Sequence, residues 1–107
     1  MTVNFRAVNY TADAKLIEFA TKRLEKLTQF YDRIIDIQIF TKVENTSDRT
    51  NKMAELKIGI PGEDVIVKKI AKSFEEAITI AADSAERVIK RRKEKYVPSE
   101  DFFIFFF

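Results

Sequence analysis

The chain contains no cysteine and no histidine. Their absence excludes disulfide frameworks, thiolate zinc sites, imidazole metal ligands, and the Cys–His and Ser–His–Asp nucleophile sets. A cysteine-free chain also fits a reducing compartment. Only two glycines and two prolines occur in 107 residues, so most of the chain should be regular structure. No apolar run approaches the length of a membrane span. Residues 1–6 lack the basic segment and apolar run of a secretory signal. The expectation is a soluble cytoplasmic protein with no membrane partner and no cofactor.

Regular elements follow from the periodicity. Val3, Phe5 and Ala7 alternate with Thr2, Asn4 and Arg6, which reads as a strand over 2–8. Thr11 and Asp13 are both candidate caps for a helix over 13–31. Leu16, Ala20, Leu24 and Leu27 form its apolar face, with Ile17 and Phe30 near it. Residues 34–44 are rich in β-branched side chains, with Ile35, Ile37, Ile39, Thr41 and Val43 on one parity. A polar connection over 45–51 leads to a strand over 52–60 that carries Ala54, Leu56, Ile58 and Ile60 on one side. A turn over Pro61–Asp64 precedes a strand over 65–71. Ser73 and Glu76 have capping-box spacing. The helix they open carries Phe74, Ala77, Ile78, Ala81, Ala85 and Val88 and runs to about Lys95. The small alanines would let it lie close to its neighbours. The order β-α-β-β-β-α predicts an α+β fold, a four-stranded sheet with two helices on one face. Residues 1–95 would form this domain and 96–107 a tail.

The net charge of +2 hides a strong local asymmetry. Residues 75–86 hold Glu75, Glu76, Asp83 and Glu86 and no base. Residues 87–95 hold Arg87, Lys90, Arg91, Arg92, Lys93 and Lys95 against Glu94, a local charge of +5. Helix-dipole electrostatics accounts for the two leading glutamates and for two of the bases. Six bases covering most of a helix circumference repel one another and need another reason. A phosphate-binding face supplies one. Lys15, Lys22, Arg23 and Lys26 on the first helix read alone as a solvated face. Beside the second helix they would flank a groove suited to the backbone of folded RNA.

Asn4-Phe5, Leu16, Glu18-Phe19, Lys26-Leu27, Tyr31-Asp32-Arg33-Ile34 and Lys42-Val43-Glu44 form one set of recognisable positions. The second helix adds Ala77-Ile78, Asp83, Glu86-Arg87, Ile89 and Arg91. At these spacings, over about residues 1–95, the chain resembles the ribosome hibernation promoting factor family, also called protein Y or ribosome-associated translation inhibitor. The resemblance implies a fold like the double-stranded RNA-binding domain. It implies binding to the small ribosomal subunit and its rRNA, in the mRNA channel and tRNA sites, when growth slows under stress or in stationary phase. Translation would be blocked by steric occlusion, without enzymatic chemistry. By position, Lys22, Arg23, Lys26, Arg87, Lys90, Arg91 and Lys95 would contact rRNA, and Arg92 and Lys93 extend the same cluster.

The sequence departs from that pattern in places. Ser73-Phe74-Glu75 stands where the family often has Asp-Met-Tyr, and Arg87-Val88-Ile89 where Arg-Gln-Leu is frequent. Ser84 occupies a position where Lys is common. The chain reads as a short form without the extra dimerisation domain of the long forms. That implies a monomer off the ribosome, with a separate ribosome-dimerising factor as a candidate partner. Five of the ten phenylalanines, Phe102, Phe103, Phe105, Phe106 and Phe107, lie in the last six residues. This tail reads either as a segment folded back on its own domain, or without fixed structure, or as a docking peptide. Other functions compete with the main reading. One is a non-ribosomal module for structured RNA. A carboxylate enzyme would need paired acids in a cleft, and adjacent Glu75 and Glu76 point to different helix sides. A purely structural interaction domain leaves the +5 cluster unexplained.

Overall fold

Alternating β-branched residues build the sheet, and caps delimit the helices. The computed structural model describes residues 2–44, 47 and 49–95. Their order is β1 (Thr2–Val8), α1 (Ala14–Glu25), α2 (Leu27–Phe30), β2 (Asp36–Val43), β3 (Lys52–Ile60), β4 (Glu63–Ala71) and α3 (Phe74–Lys95). The Phe-rich tail lies outside the described residues. The strands form one mixed sheet in sequence order. β1 and β2 are parallel, joined by the crossover through α1. β2, β3 and β4 form the expected antiparallel meander. The fold is α+β, with two long helices on one sheet face.

Register puts one parity of each strand under the helices. The cross-strand row Ile39, Leu56 and Val67 is buried, as is the row Ile37, Ile58 and Val65. Leu16, Ala20 and Leu24 of α1 and Ala77, Ile78, Ala81, Ala85 and Ile89 of α3 close over them. Each fully buried Leu or Ile contributes roughly 1.5–3 kcal/mol from surface removed from water. Ala82 and Ile89 are fully buried, whereas Val88 is only partly so, which corrects the apolar stripe. The stripe is wide because α3 meets both the sheet and α1. Ile35 is also corrected. It is 62% exposed, because it precedes β2, tied by its backbone N–H to the Gly59 carbonyl at 2.8 Å.

The first helix is not continuous to Tyr31. The Thr28 hydroxyl donates to the Glu25 carbonyl at 2.7 Å, an acceptor that a continuous helix would offer to the Gln29 N–H. The Gln29 N–H instead donates to the Lys26 carbonyl at 3.1 Å, a tighter turn. The hydrogen-bond ladder is therefore interrupted at Lys26, whose backbone stays helical, and Leu27 beyond it is fully buried. Asp13, and not Thr11, caps α1, its Oδ1 accepting from the Leu16 N–H at 2.8 Å. Ser73 caps α3, its Oγ accepting from the Glu76 N–H at 3.1 Å.

Candidate nucleic-acid interface

Two contacts fix how the basic helices lie. The ring of Tyr10, just before α1, stacks on Phe74, the first residue of α3, with centroids 4.4 Å apart. Further along, the Arg23 guanidinium pairs with Asp83 and lies 3.8 Å from Glu86. The helices therefore start together and run parallel, and their C-terminal ends point the same way. Both ends carry bases, which complement the partial negative charge of a helix C-terminus.

The α3 charge asymmetry has a structural explanation for its acidic half. Glu75 and Glu76 occupy the first turn of α3. Asp83 and Glu86, three residues apart, share a face and meet Arg23. The basic half lies farther along. α1 ends at Glu25, two residues after Arg23, while α3 continues nine residues past Glu86. At helical rise this is about 14 Å of basic helix beyond the clamp.

The expected site residues divide by placement. Lys22 and Lys26 are exposed at the end of α1. Among the described residues Lys22 pairs with the equally exposed Glu18 at 3.7 Å, a contact worth little in water. Arg87, Lys90 and Arg91 are exposed on α3 at spacings of three and four, so they form one patch. Arg87 Nη2 also donates to the Ser84 hydroxyl at 3.2 Å, which steadies that guanidinium. Arg92, Lys93 and Lys95 continue the helix, and only their backbone is described. Arg23 stands apart, with a side chain 17% exposed and held by two carboxylates. Sequence reasoning missed this because its partners lie sixty positions away. The available signal was the three-residue spacing of Asp83 and Glu86 in an otherwise alanine-lined helix. Phe102, Phe103, Phe105, Phe106 and Phe107 lie outside the described residues.

The chemistry of this surface is electrostatic. Among the described residues no group of three or more acidic side chains is arranged to hold a metal ion. No described helix is long and apolar enough to cross a membrane.

The pattern of the Sigma 54 modulation protein / S30EA ribosomal protein family matches residues 3–97. The chain belongs to that family. A ribosome hibernation promoting factor from Pseudomonas putida is 26% identical over 95 residues, covering 89% of both chains. One from Klebsiella oxytoca is 25% identical over 95 residues, covering 89% of this chain and 96% of the relative. Solved structures share the fold of this S30EA-family chain. A ribosomal subunit interface protein from Coxiella burnetii superposes with a TM-score of 0.79 at 16% identity, over 89% of this chain and all of that one. The N-terminal domain of Thermus thermophilus Protein Y gives 0.74 at 21% identity, over 85% and 98%.

Proposed function

We propose that this chain is a cytoplasmic hibernation factor that binds the small ribosomal subunit in the mRNA channel and tRNA sites and blocks translation by occupying them. The observation that carries the proposal is the convergence of two basic helix ends on one side of the molecule. Lys22 and Lys26 supply one rim, and Arg87, Lys90 and Arg91 the other, with Arg92, Lys93 and Lys95 beyond. Arg23 lies between the two helices, its guanidinium paired with Asp83 and Glu86. Names of similar proteins support a ribosomal partner. Phosphate contacts supply affinity and the shape of the folded rRNA supplies position. Occlusion needs no covalent step, which agrees with a chain lacking histidine and cysteine.

Sucrose-gradient sedimentation with stationary-phase ribosomes tests the reading, together with translation in vitro. The wild-type chain should travel with the small subunit and inhibit translation. A chain with Arg87→Glu, Lys90→Glu and Arg91→Glu should do neither while keeping its helical circular dichroism. Continued co-sedimentation of that variant at moderate salt would show that the face is misassigned. A free module for structured RNA would instead bind bare duplex RNA tightly. Removal of residues 98–107 asks whether the tail contributes, and unchanged binding and stability would leave it without a role.

A further inference from the structure

The sheet has a second face, turned away from the helices, and none of the proposed rRNA contacts lies on it. Register places Arg6 of β1 opposite Phe40 of β2, and Asn4 opposite Gln38. Asn4, Phe5, Arg6, Gln38 and Phe40 line an open cleft spanning about 520 Å³, including the part open to solvent. Among the described residues, the side chains of Asn4, Arg6 and Gln38 have no hydrogen-bond or ion-pair partner. Lys42 follows Phe40 on the same parity, and Lys57 and Lys68 lie on the same face across β3 and β4, which also carries Asp36 and, opposite both Phe40 and Lys68, Glu55. Lys57 pairs with Asp64 at 3.7 Å, and both side chains are nearly half exposed.

These groups have complementary roles. A half-buried aromatic ring beside a guanidinium offers a planar surface on which a base can stack. Two neighbouring amides carry both donors and acceptors, which match the edges of an unpaired base. The lysines, interspersed with Glu55 and Asp36, leave with Arg6 a small excess of positive charge for a backbone phosphate. An occupant offering only apolar groups would leave both amides and the guanidinium desolvated and unpaired, which is costly. We infer that the open sheet face around Arg6, Gln38 and Phe40 binds single-stranded RNA, independently of the helix face. The molecule would then present structured-RNA contacts on its helices and a single-strand cleft on its sheet.

Titration of the isotope-labelled full chain with a short oligouridylate, followed by amide resonances, tests this. Shifts should cluster at residues 4–6 and 38–42. Phe40→Leu and Arg6→Gln should each weaken binding by at least about tenfold, a loss within the range of one stacked base. Gln38→Ala, at a half-buried position on the open face, should also weaken it without unfolding the chain. A Lys90→Glu, Arg91→Glu variant, impaired on the helix face, should bind the oligonucleotide as the wild type does. Shifts confined to α1 and α3, or undiminished affinity in all three sheet variants, would overturn the inference. So would oligonucleotide binding that appears only after removal of residues 96–107, since the face would then belong to the chain's own tail.

Discussion

Arg23 and Asp83, on different helices and sixty residues apart, form an ion pair that Glu86 completes from the next turn of α3. The guanidinium is mostly shielded, while both acids are about half exposed. Solvent therefore screens the pair and limits its value. Arg23→Ala should lower stability by about 1 kcal/mol, with part of that from lost packing of the side-chain stem. Lys22→Ala, one position away and exposed, should stay within about 0.5 kcal/mol of the wild type. Urea unfolding without any RNA measures both. In a double-mutant cycle, Arg23→Ala and Asp83→Ala should be non-additive.

Lys90 gives the corresponding test for the basic half of α3. It is exposed and joins Arg87 and Arg91 in one patch. If it meets a phosphate, Lys90→Ala should lower the log–log salt slope of ribosome binding by roughly 0.7–0.9. Its stability should be almost unchanged. Filter binding across a series of salt concentrations reads the slope, and an unaltered slope would remove Lys90 from the interface.

Much of the fold was legible because its physics is local. Parity in β3 identified Ala54, Leu56, Ile58 and Ile60 as a buried face, and all four are buried. Ser73 was readable as a cap because the hydroxyl acts within one turn. What escaped depended on partners that sequence spacing does not bring together. Thr28 ends α1 by taking a carbonyl from the helix ladder, a choice its hydroxyl could equally have left unmade. Ile35 shares parity with Ile37, but pairing begins only at Asp36. Arg23 and Lys22 look alike in the sequence, and only the arrival of α3 separates a clamp from a solvated lysine. The cleft beside Phe40 needed the parallel register of β1 on β2, which the strand pattern alone did not specify.

Tyr10 links the helix starts to the sheet and predicts an alkaline weakness. The buried Thr41 hydroxyl donates to the Arg6 carbonyl at 3.2 Å. Its oxygen therefore accepts from the Tyr10 hydroxyl, 2.6 Å away. Burial raises the Tyr10 pKa, and nearby Asp13 and Glu75 raise it further. With the net shift upward, the unfolded chain loses this proton at lower pH than the folded one. The Tyr10 contribution is thus complete below about pH 10, the ordinary tyrosine value, and declines as pH rises through the folded value. Tyr10→Phe should cost about 1 kcal/mol at neutral pH. Urea unfolding should show the gap between wild type and variant narrowing above pH 10. A constant gap would mean that Tyr10 does not titrate in this way.

Gly62 isolates a purely backbone effect at the β3–β4 turn. Ile60 pairs with Glu63, so Pro61 and Gly62 alone make the connection. Gly62 has φ of +90°, and proline before it fits the second position of a type II turn. A Cβ added at Gly62 would meet nothing within 4 Å. Any cost of Gly62→Ala must therefore come from forcing an L-residue into the left-handed region, about 1–2 kcal/mol. D-alanine at the same position, introduced by chemical synthesis, favours positive φ and should restore or exceed wild-type stability. Thermal melts of the three chains decide the matter. Equal loss from both alanines would show that the turn resists any side chain at that position, and not its handedness.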